Sequence, residues 1–237
     1  MRFTALLTVM ILALSGFQDP VAVNPKMVSV VFENDRVRVL RVHFGPHDHL
    51  ETHSHPSLVV VSLTVNTRRA YRPDGSHRDA TSNPGDVHWR EPSTHSVENL
   101  TDTPSENIEI EFKNARAAAV PGSPADPPVS SEPSTPVPVQ REPHHHVMFE
   151  NQYVRVLNVE IPPGESTFFH THAHDNLAVR ITDGLSQTQV RDQEWVPASQ
   201  VKAGSVVFSE GSRKPYTHRV KNLGTSTYRV IDVELLP

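Results

Sequence analysis

Two pairs of histidines carry the clearest chemical signal in the chain. His170 and His172 form a His-x-His pair, and His53 and His55 form another pair earlier in the sequence. Side chains on a β-strand alternate between its two faces, so both imidazoles of such a pair point to the same side. Each pair could therefore contribute two nitrogen atoms to one site.

Each pair is followed at a distance by a His-x-x-x-Asn segment, which begins at His95 in the first half of the chain and at His218 in the second. A third histidine from a distant strand would complete a set of three nitrogen donors. Neutral imidazoles suit Zn, Cu, Fe or Ni, and three of them leave coordination positions open for a substrate or O₂. We therefore expect a divalent transition metal as cofactor, with Fe, Mn, Zn, Cu and Ni all left open.

The two histidine sets lie within a longer internal repeat. Residues 32–42 match residues 149–159, and the match runs without a gap to the two His-x-His pairs. Repeats of this kind indicate that one structural unit occurs twice. The sequence therefore predicts two domains, residues 27–113 and residues 144–237, each near the size at which one core suffices.

The segment between the two copies has a different composition. Residues 114–143 contain eight prolines together with Ala, Ser and Gly, and they contain few large apolar residues. Proline density of this kind favours a solvated, extended chain that cannot bury enough apolar surface to fold alone. We expect a flexible linker that leaves the two domains independent of each other.

The elements that must position the histidines are short strands. Residues 37–42, 59–65 and 108–112 in the first copy, and their counterparts in the second, are β-branched or alternate between apolar and polar residues. Turn signals rich in Pro and Gly separate them. Many short strands without a helical stripe predict an all-β sandwich or barrel, and a barrel interior can hold a ligand.

At these residues the chain resembles the cupin superfamily, which has the motifs G-x5-H-x-H-x3-4-E-x6-G and G-x5-P-x-G-x2-H-x3-N. Gly164 precedes His170 and His172 with the spacing of the first motif, and both copies carry the end of the second. The resemblance implies two tandem cupin-type β-barrels (double-stranded β-helix, or jelly roll) joined by the Pro-rich linker. Such a protein is a bicupin.

The resemblance also implies which residues bind the metal. The implied ligands are His170, His172 and His218 in the second copy, and His53, His55 and His95 in the first. The glutamate ligand of the family falls at Asn176, and the first copy has no carboxylate in the equivalent region. Some cupin dioxygenases bind their metal through three histidines without a glutamate, so the departure is compatible with an oxygenase.

Residues near the histidine pairs allow more than one interpretation. Asn176 could orient a histidine as a second layer of the site, or could be a turn residue after Asp175. Glu51 lies two residues before His53, and the period-two rule places it on the same face, as a substitute ligand or as an acidic residue at the barrel mouth. We interpret the tract of residues 144–146, which is His-His-His, as surface or edge-strand structure.

Composition excludes several other classes of function. The formal net charge is −5 and no basic tract occurs, so nucleic acid is not expected as a partner. The chain has no cysteine, which excludes disulfides, cysteine-ligated zinc and thiol catalysis. Two functions remain open: a metal-dependent enzyme acting on a small organic molecule, and a non-catalytic cupin that binds a small ligand, without metal or with a degenerate site.

The first residues have the pattern of a secretory signal peptide. Arg2 is followed by an apolar run over residues 3–14 and by the small residues Ser15 and Gly16. The run is shorter than the roughly 20 residues that span a bilayer. We expect residues 1–16 to be removed, which gives an exported protein, periplasmic or extracellular, without a membrane segment. A buried helix and a retained anchor are the alternatives.

The signal-peptide hypothesis predicts that the exported protein begins just after Ser15 or Gly16. The measurement is N-terminal sequencing of protein collected outside the cytoplasm of a native host. An exported chain that still begins at Met1 would contradict it.

Overall fold

The computed structural model describes residues 18–115 and 127–237. The predicted signal peptide and residues 116–126 of the expected linker lie outside the described residues. The helical elements are a short α-helix, α1 (Pro20–Val23), and a 3₁₀ turn (Val139–Arg141). No helix in residues 18–115 and 127–237 has the length and apolar character needed to cross a membrane.

The first domain consists of nine antiparallel strands in two sheets. The strands are β1 (Val28–Glu33), β2 (Val37–Phe44), β3 (His49–His55), β4 (Leu58–Ser62), β5 (Asn66–Tyr71), β6 (His77–Ser82), β7 (Val87–Arg90), β8 (Ser93–Asn99) and β9 (Ser105–Phe112). One sheet has the order β1-β2-β9-β4-β7 and the other has the order β3-β8-β5-β6. Both sheets form the walls of one barrel.

The second domain repeats this arrangement. Its strands are β10 (Val137–Pro138), β11 (His145–Glu150), β12 (Val154–Ile161), β13 (His170–His172), β14 (Asp175–Arg180), β15 (Gly184–Val190), β16 (Ser199–Val201), β17 (Val206–Ser209), β18 (Tyr216–Asn222) and β19 (Tyr228–Leu235). The sheets have the orders β11-β12-β19-β14-β17 and β10-β13-β18-β15-β16. The equivalent strand orders confirm the predicted all-β fold with two tandem barrels.

The last residues of the expected linker pack against the second barrel. Val137 and Pro138 form β10, which pairs in parallel with His170 and Thr171 of β13. Proline is tolerated there because β10 is an edge strand, where a missing N–H interrupts no ladder. Val137 is buried, and so is Glu142, which follows the 3₁₀ turn. Proline content indicated a solvated spacer, but this part of the segment is one edge of the second domain.

The apolar faces of the two large sheets pack against each other. Ile108, Ile110 and Phe112 of β9 belong to the same buried cluster as Ile231 and Val233 of β19. This cluster extends without interruption from one barrel to the other, so the domains are not independent as the linker composition suggested. Apolar burial of this kind contributes about 25 cal/mol per Å².

Aromatic and polar contacts extend the interface at its margins. The rings of Phe32 and Phe208, one from each domain, stack with centroids 4.7 Å apart. Arg36 lies 3.3 Å from the carboxylate of Asp175 and also donates a hydrogen bond to the carbonyl of Leu236. These contacts fix how the two sheets are aligned.

The opposite faces of the same strands line the barrel interiors. Asn107 and Glu109 of β9 lie between the interface residues and face the cavity of the first barrel. Val230 and Asp232 of β19 face the cavity of the second. Each barrel therefore buries one set of apolar residues against its partner, while its interior holds polar residues beside a smaller apolar cluster.

The shared core predicts that the two barrels unfold together. Ile110→Ala should lower the free energy of unfolding by roughly 2–5 kcal/mol, because it leaves a cavity in the interface. The matched control is Val65→Ala, which should change stability by less than about 0.5 kcal/mol, because Val65 is 58% exposed. Differential scanning calorimetry measures both; two separate transitions in the wild type would contradict a common core.

Candidate metal centres

Strand register brings the predicted histidines together in each barrel. In the second barrel β13 pairs with β18, which sets His170 directly opposite His218. In the first barrel β3 pairs with β8, which sets His53 opposite His95. The second member of each His-x-His pair lies on the same face of its strand, so each barrel holds a histidine triad.

The ring separations are similar in the two triads. In the second barrel the ring centroids of His170 and His172 lie 4.6 and 5.1 Å from that of His218, and 5.1 Å from each other. In the first barrel the corresponding centroid distances are 4.8 Å for His53 to His55, 4.7 Å for His53 to His95 and 5.4 Å for His55 to His95. This spacing suits three imidazoles around one ion.

The rings of the first triad are oriented from behind. His53 Nδ1 lies 2.7 Å from the carbonyl of Glu51, His55 Nδ1 lies 2.6 Å from the Glu111 carboxylate, and His95 Nδ1 lies 3.2 Å from the hydroxyl of Ser93. A histidine ligand commonly uses its second nitrogen in this way, which fixes its tautomer and orientation. Each ring is thus left with Nε2 as its ligand atom.

The second triad shows the same arrangement and an additional sign of a missing partner. His170 Nδ1 lies 2.9 Å from the carbonyl of Phe168. His172 Nδ1 and Asp232 Oδ2 lie 3.6 Å apart, and both are buried without a hydrogen-bond partner among the described residues. A metal ion on His172 Nε2 would require the proton on Nδ1, which would then face the Asp232 carboxylate. The two unpartnered atoms therefore fit a metal-bound His172.

A fourth histidine, His145, joins the second site. It is 4% exposed, and its ring centroid lies 4.5 Å from that of His170. Its Nδ1 lies 2.5 Å from the carboxylate of Glu142, and one of its nitrogens lies within 4.8 Å of those of His170 and His172. The tract does lie at an edge strand, β11, but His145 is buried in the site and not at the surface.

The signal for His145 was present in the repeat. His145 pairs with Val159, and Val28 pairs with Val42 at the equivalent place in the first barrel. Val28 is a buried core residue. A histidine that replaces a core valine is unusual enough to suggest a role, but only the strand register shows that it faces the site.

Asn176 contacts the second triad indirectly, through a hydrogen bond to Asp232. Its amide donates a hydrogen bond of 2.6 Å to Asp232 Oδ1, and its carbonyl accepts one of 3.0 Å from the hydroxyl of Tyr216. The Tyr216 ring stacks on that of His172 at 4.9 Å. Asn176 therefore stands behind the triad, where it holds the carboxylate that faces His172.

Glu51 does not share the face of His53. Its side chain is exposed, and only its backbone carbonyl contacts the triad. The register of β3 against β8 shifts between Leu50 and His53. Such a bulge breaks the period-two rule on which the prediction depended.

The carboxylate nearest to the first triad comes from a different strand. Glu109 Oε2 of β9 lies 3.7 Å from His55 Nε2. Glu109 is paired with Leu40, as Asp232 is paired with Leu157, so the two acids are equivalent. An acid therefore lies near both triads, although neither occupies the position of the motif glutamate.

Burial keeps most of these histidines neutral. It lowers the pKa of His218 to about 4 and that of His95 to about 3, with neighbouring histidines adding to the effect. Burial and the other site histidines lower the pKa values of His170 and His172 well below the usual range. Neutral imidazole is the form that binds metal, so these four side chains are ready to act as ligands at neutral pH.

The acids of the second site shift in the opposite direction. Burial raises the pKa of Asp232 to about 6, and burial with the nearby Asp232 raises the pKa of Glu234 to about 7. His55 differs from the other histidines because its contacts with Glu111 and Glu109 outweigh burial and raise its pKa. Burial thus favours the uncharged forms of the acids near the second triad. In the first triad, the contact with Glu111 favours the charged form of His55.

No protein-family model and no curated protein matches the chain. Solved structures do match. AerE from Microcystis aeruginosa is 12% identical, with a TM-score of 0.59 over 89% of this chain and 98% of that one. A cupin 2 conserved barrel domain protein from Leptotrichia buccalis is 13% identical, with a TM-score of 0.52 over 88% of each chain.

A third neighbour is the oxalate decarboxylase of Bacillus subtilis, in a study of its Mn(II) centres. It is 12% identical, with a TM-score of 0.53 over 85% of this chain and 69% of that one. Likeness at this level of identity concerns the fold. In fold the chain is a two-domain cupin, and each barrel carries a three-histidine cluster.

The lowered pKa values predict how the metal-free protein responds to pH. The folded pKa of His218 is about 4, whereas the unfolded value is about 6.5. Below pH 6.5 the unfolded chain binds more protons at this residue than the folded chain does. The free energy of unfolding therefore decreases as pH falls towards 4. Asp232 and Glu234 oppose the trend, because their raised values stabilise the fold at low pH and lose that effect as pH rises.

A comparison with His218→Gln isolates the histidine. Chelator-treated wild type should lose more unfolding free energy between about pH 6.5 and pH 4.5 than the variant, because only the wild type carries the shifted imidazole. Urea unfolding at each pH measures the difference. Identical pH slopes in the two proteins would show that the pKa of His218 is not lowered.

Proposed function

We propose that this chain is an exported two-domain cupin that binds a divalent transition metal in each barrel and acts on a small organic molecule. The observation that carries the proposal is the orientation of the rings. Six of the site histidines have Nδ1 held by, or facing, a fixed protein atom behind the ring, which leaves Nε2 as the ligand atom. Histidine ligands commonly hold their second nitrogen in this way.

The donor sets differ between the barrels. In the first barrel His53, His55 and His95 would hold the ion, and Glu109 stands close enough to His55 to offer an oxygen. In the second barrel the nitrogens of His145, His170 and His172 lie within 4.8 Å of one another, and His218, whose ring centroid lies 4.6 Å from that of His170, would be the fourth. A nitrogen-rich set suits Fe, Cu, Zn or Ni, and a carboxylate makes Mn more acceptable.

The residues around the ligands would keep the site in a fixed geometry. Glu142 orients His145, while Asn176 holds Asp232 beside Nδ1 of His172, behind the ring. A bound ion would supply Lewis-acid polarisation and open positions for a substrate or O₂. The Mn(II) centres of the oxalate decarboxylase neighbour support metal chemistry in this fold without identifying the metal here.

A non-catalytic role is the second candidate, and the second barrel favours it. Its cavity has a volume of about 220 Å³, which is below the range of about 300–1,000 Å³ that is usual for small-molecule sites. Burial raises the pKa of Tyr216 to about 12, so its phenol is not a base at neutral pH. In this view the protein is a binding module, and its second barrel holds a metal or a very small ligand.

Metal content tests the proposal directly. Wild-type protein purified without a histidine tag should carry close to two metal ions per chain, by inductively coupled plasma mass spectrometry. His53→Ala and His170→Ala should each remove most of one ion, because each leaves an incomplete triad, and the double variant should remove both. Export is tested separately by the N-terminal sequence.

His146→Ala is the matched control, because His146 is exposed beside His145 on the same strand. It should leave metal content unchanged. A wild type that takes up no metal at neutral pH would reject the proposal and leave the metal-free binding module. Unchanged metal content in the double variant would place the metal elsewhere.

A further inference from the structure

The cavity of the first barrel is strongly cationic. It has a volume of about 330 Å³ and opens beside His55 and His95. Four arginines line it, against two glutamates: Arg68, Arg72, Arg78, Arg90, Glu91 and Glu109. The lining therefore carries an excess of positive charge, although the chain as a whole is negative. A cavity of this charge recruits anions.

Arg68 is the most buried of these arginines. One of its terminal nitrogens donates to the hydroxyl of Ser105 at 3.1 Å, and its guanidinium lies 4.3 Å from the ring centroid of Phe44. Its Nε is buried without a hydrogen-bond partner among the described residues. A buried, unpaired donor is costly unless another group satisfies it. Burial lowers the pKa of Arg68 to about 10, so it stays charged at neutral pH.

Arg78 and Arg90 face the same cavity from β6 and β7. Within residues 18–115 and 127–237, neither forms a hydrogen bond or an ion pair through its side chain. The pKa of Arg90 is lowered by burial and then by the charge of Arg78. Both side chains are solvent-exposed, and Glu109 offsets part of the charge of Arg90 by raising its pKa. A bound anion would relieve the repulsion that remains between the two guanidiniums.

The second barrel lacks this charge at the equivalent positions. Arg68 pairs with Asn99, and in the second barrel Ser186 pairs with the equivalent Asn222. By the same register, Ser209 occupies the place of Arg90. The fold therefore does not require Arg68 and Arg90, because the other copy forms the same barrel with serines at these positions.

Part of the remaining wall of the first cavity is apolar, among polar residues such as Asn66 and Asn107. The apolar part includes Leu58, Val60 and Val97. Such a wall suits a carbon skeleton, which inorganic phosphate does not have. The planar guanidinium fork of arginine matches a carboxylate with two parallel hydrogen bonds.

We propose that the first barrel binds an organic carboxylate, with its anionic group at Arg68, Arg78 and Arg90 and its carbon skeleton along the apolar wall towards His55 and His95. The inference names the substrate class of this site, and its catalytic meaning rests on the proposed function. Recognition of the anion itself depends on the arginines. It can therefore be measured with or without metal.

Calorimetric titration with benzoate tests the inference, with neutral benzamide as the probe that lacks the charge. Both are titrated into the full-length protein, first after chelator treatment and then after metal loading. Benzoate should bind in both states, at least ten times more tightly than benzamide, and more weakly as salt is added. Equal affinity for the two probes, or no benzoate binding, would overturn the proposal.

The variants Arg68→Ser and Arg90→Ser copy what the second barrel carries at these positions. Each should weaken benzoate binding about 10- to 100-fold, as expected for the loss of a charged hydrogen bond. Arg69→Ser is the matched control: it removes the same charge from the same strand, but Arg69 pairs with Asp79 outside the cavity. It should bind benzoate within twofold of the wild type.

The outcomes separate this inference from the proposed function. Metal content that stays at the wild-type level in Arg90→Ser, with benzoate affinity lost, supports the anion site and leaves the metal proposal intact. Benzoate binding to a protein that takes up no metal would support the anion site alone. Benzoate affinity unchanged in both arginine variants, or inorganic phosphate binding that benzoate does not displace, would reject the carboxylate.

Discussion

The packing of one large sheet against the other is the interaction on which the structure depends. Each of these sheets has one apolar face that is buried against the neighbouring barrel, and a mixed face that places a smaller apolar cluster and polar groups inside its own barrel. Because the apolar core lies between the barrels, much of each interior is free to hold polar groups. Those groups still need partners, and Arg38 with Glu111, like Arg155 with Glu234, provides them near the triads.

Sequence reasoning found the triads because two simple rules agreed. The period-two rule placed His170 and His172 on one face, and the repeat showed that the pattern occurs twice. The same rule failed at Glu51, where a shift in the strand register turned the side chain to the surface. His145 was missed because its neighbours in space come from β13 and β18, and pairing between distant strands is not visible in local sequence.

The linker shows another limit of composition. Prolines indicated a solvated spacer, yet Val137 and Pro138 form an edge strand beside the second triad. Composition reports average tendencies, whereas an available sheet edge and a few buried residues decide the outcome at a particular place. Charge in the first cavity was similarly invisible, since Arg68 and Arg90 lie on different strands and only the barrel brings them to one wall.

The buried face between the barrels also bears on how such a chain could arise. A polypeptide with only one of these domains would present the row of Ile108, Ile110 and Phe112 to water. Apolar patches of that extent promote self-association. The natural partner for the exposed row is the same row on a second copy, so a single-barrel ancestor is best pictured as a symmetric homodimer. Fusing two copies of the gene would have preserved that dimer within one chain, and each half could then diverge.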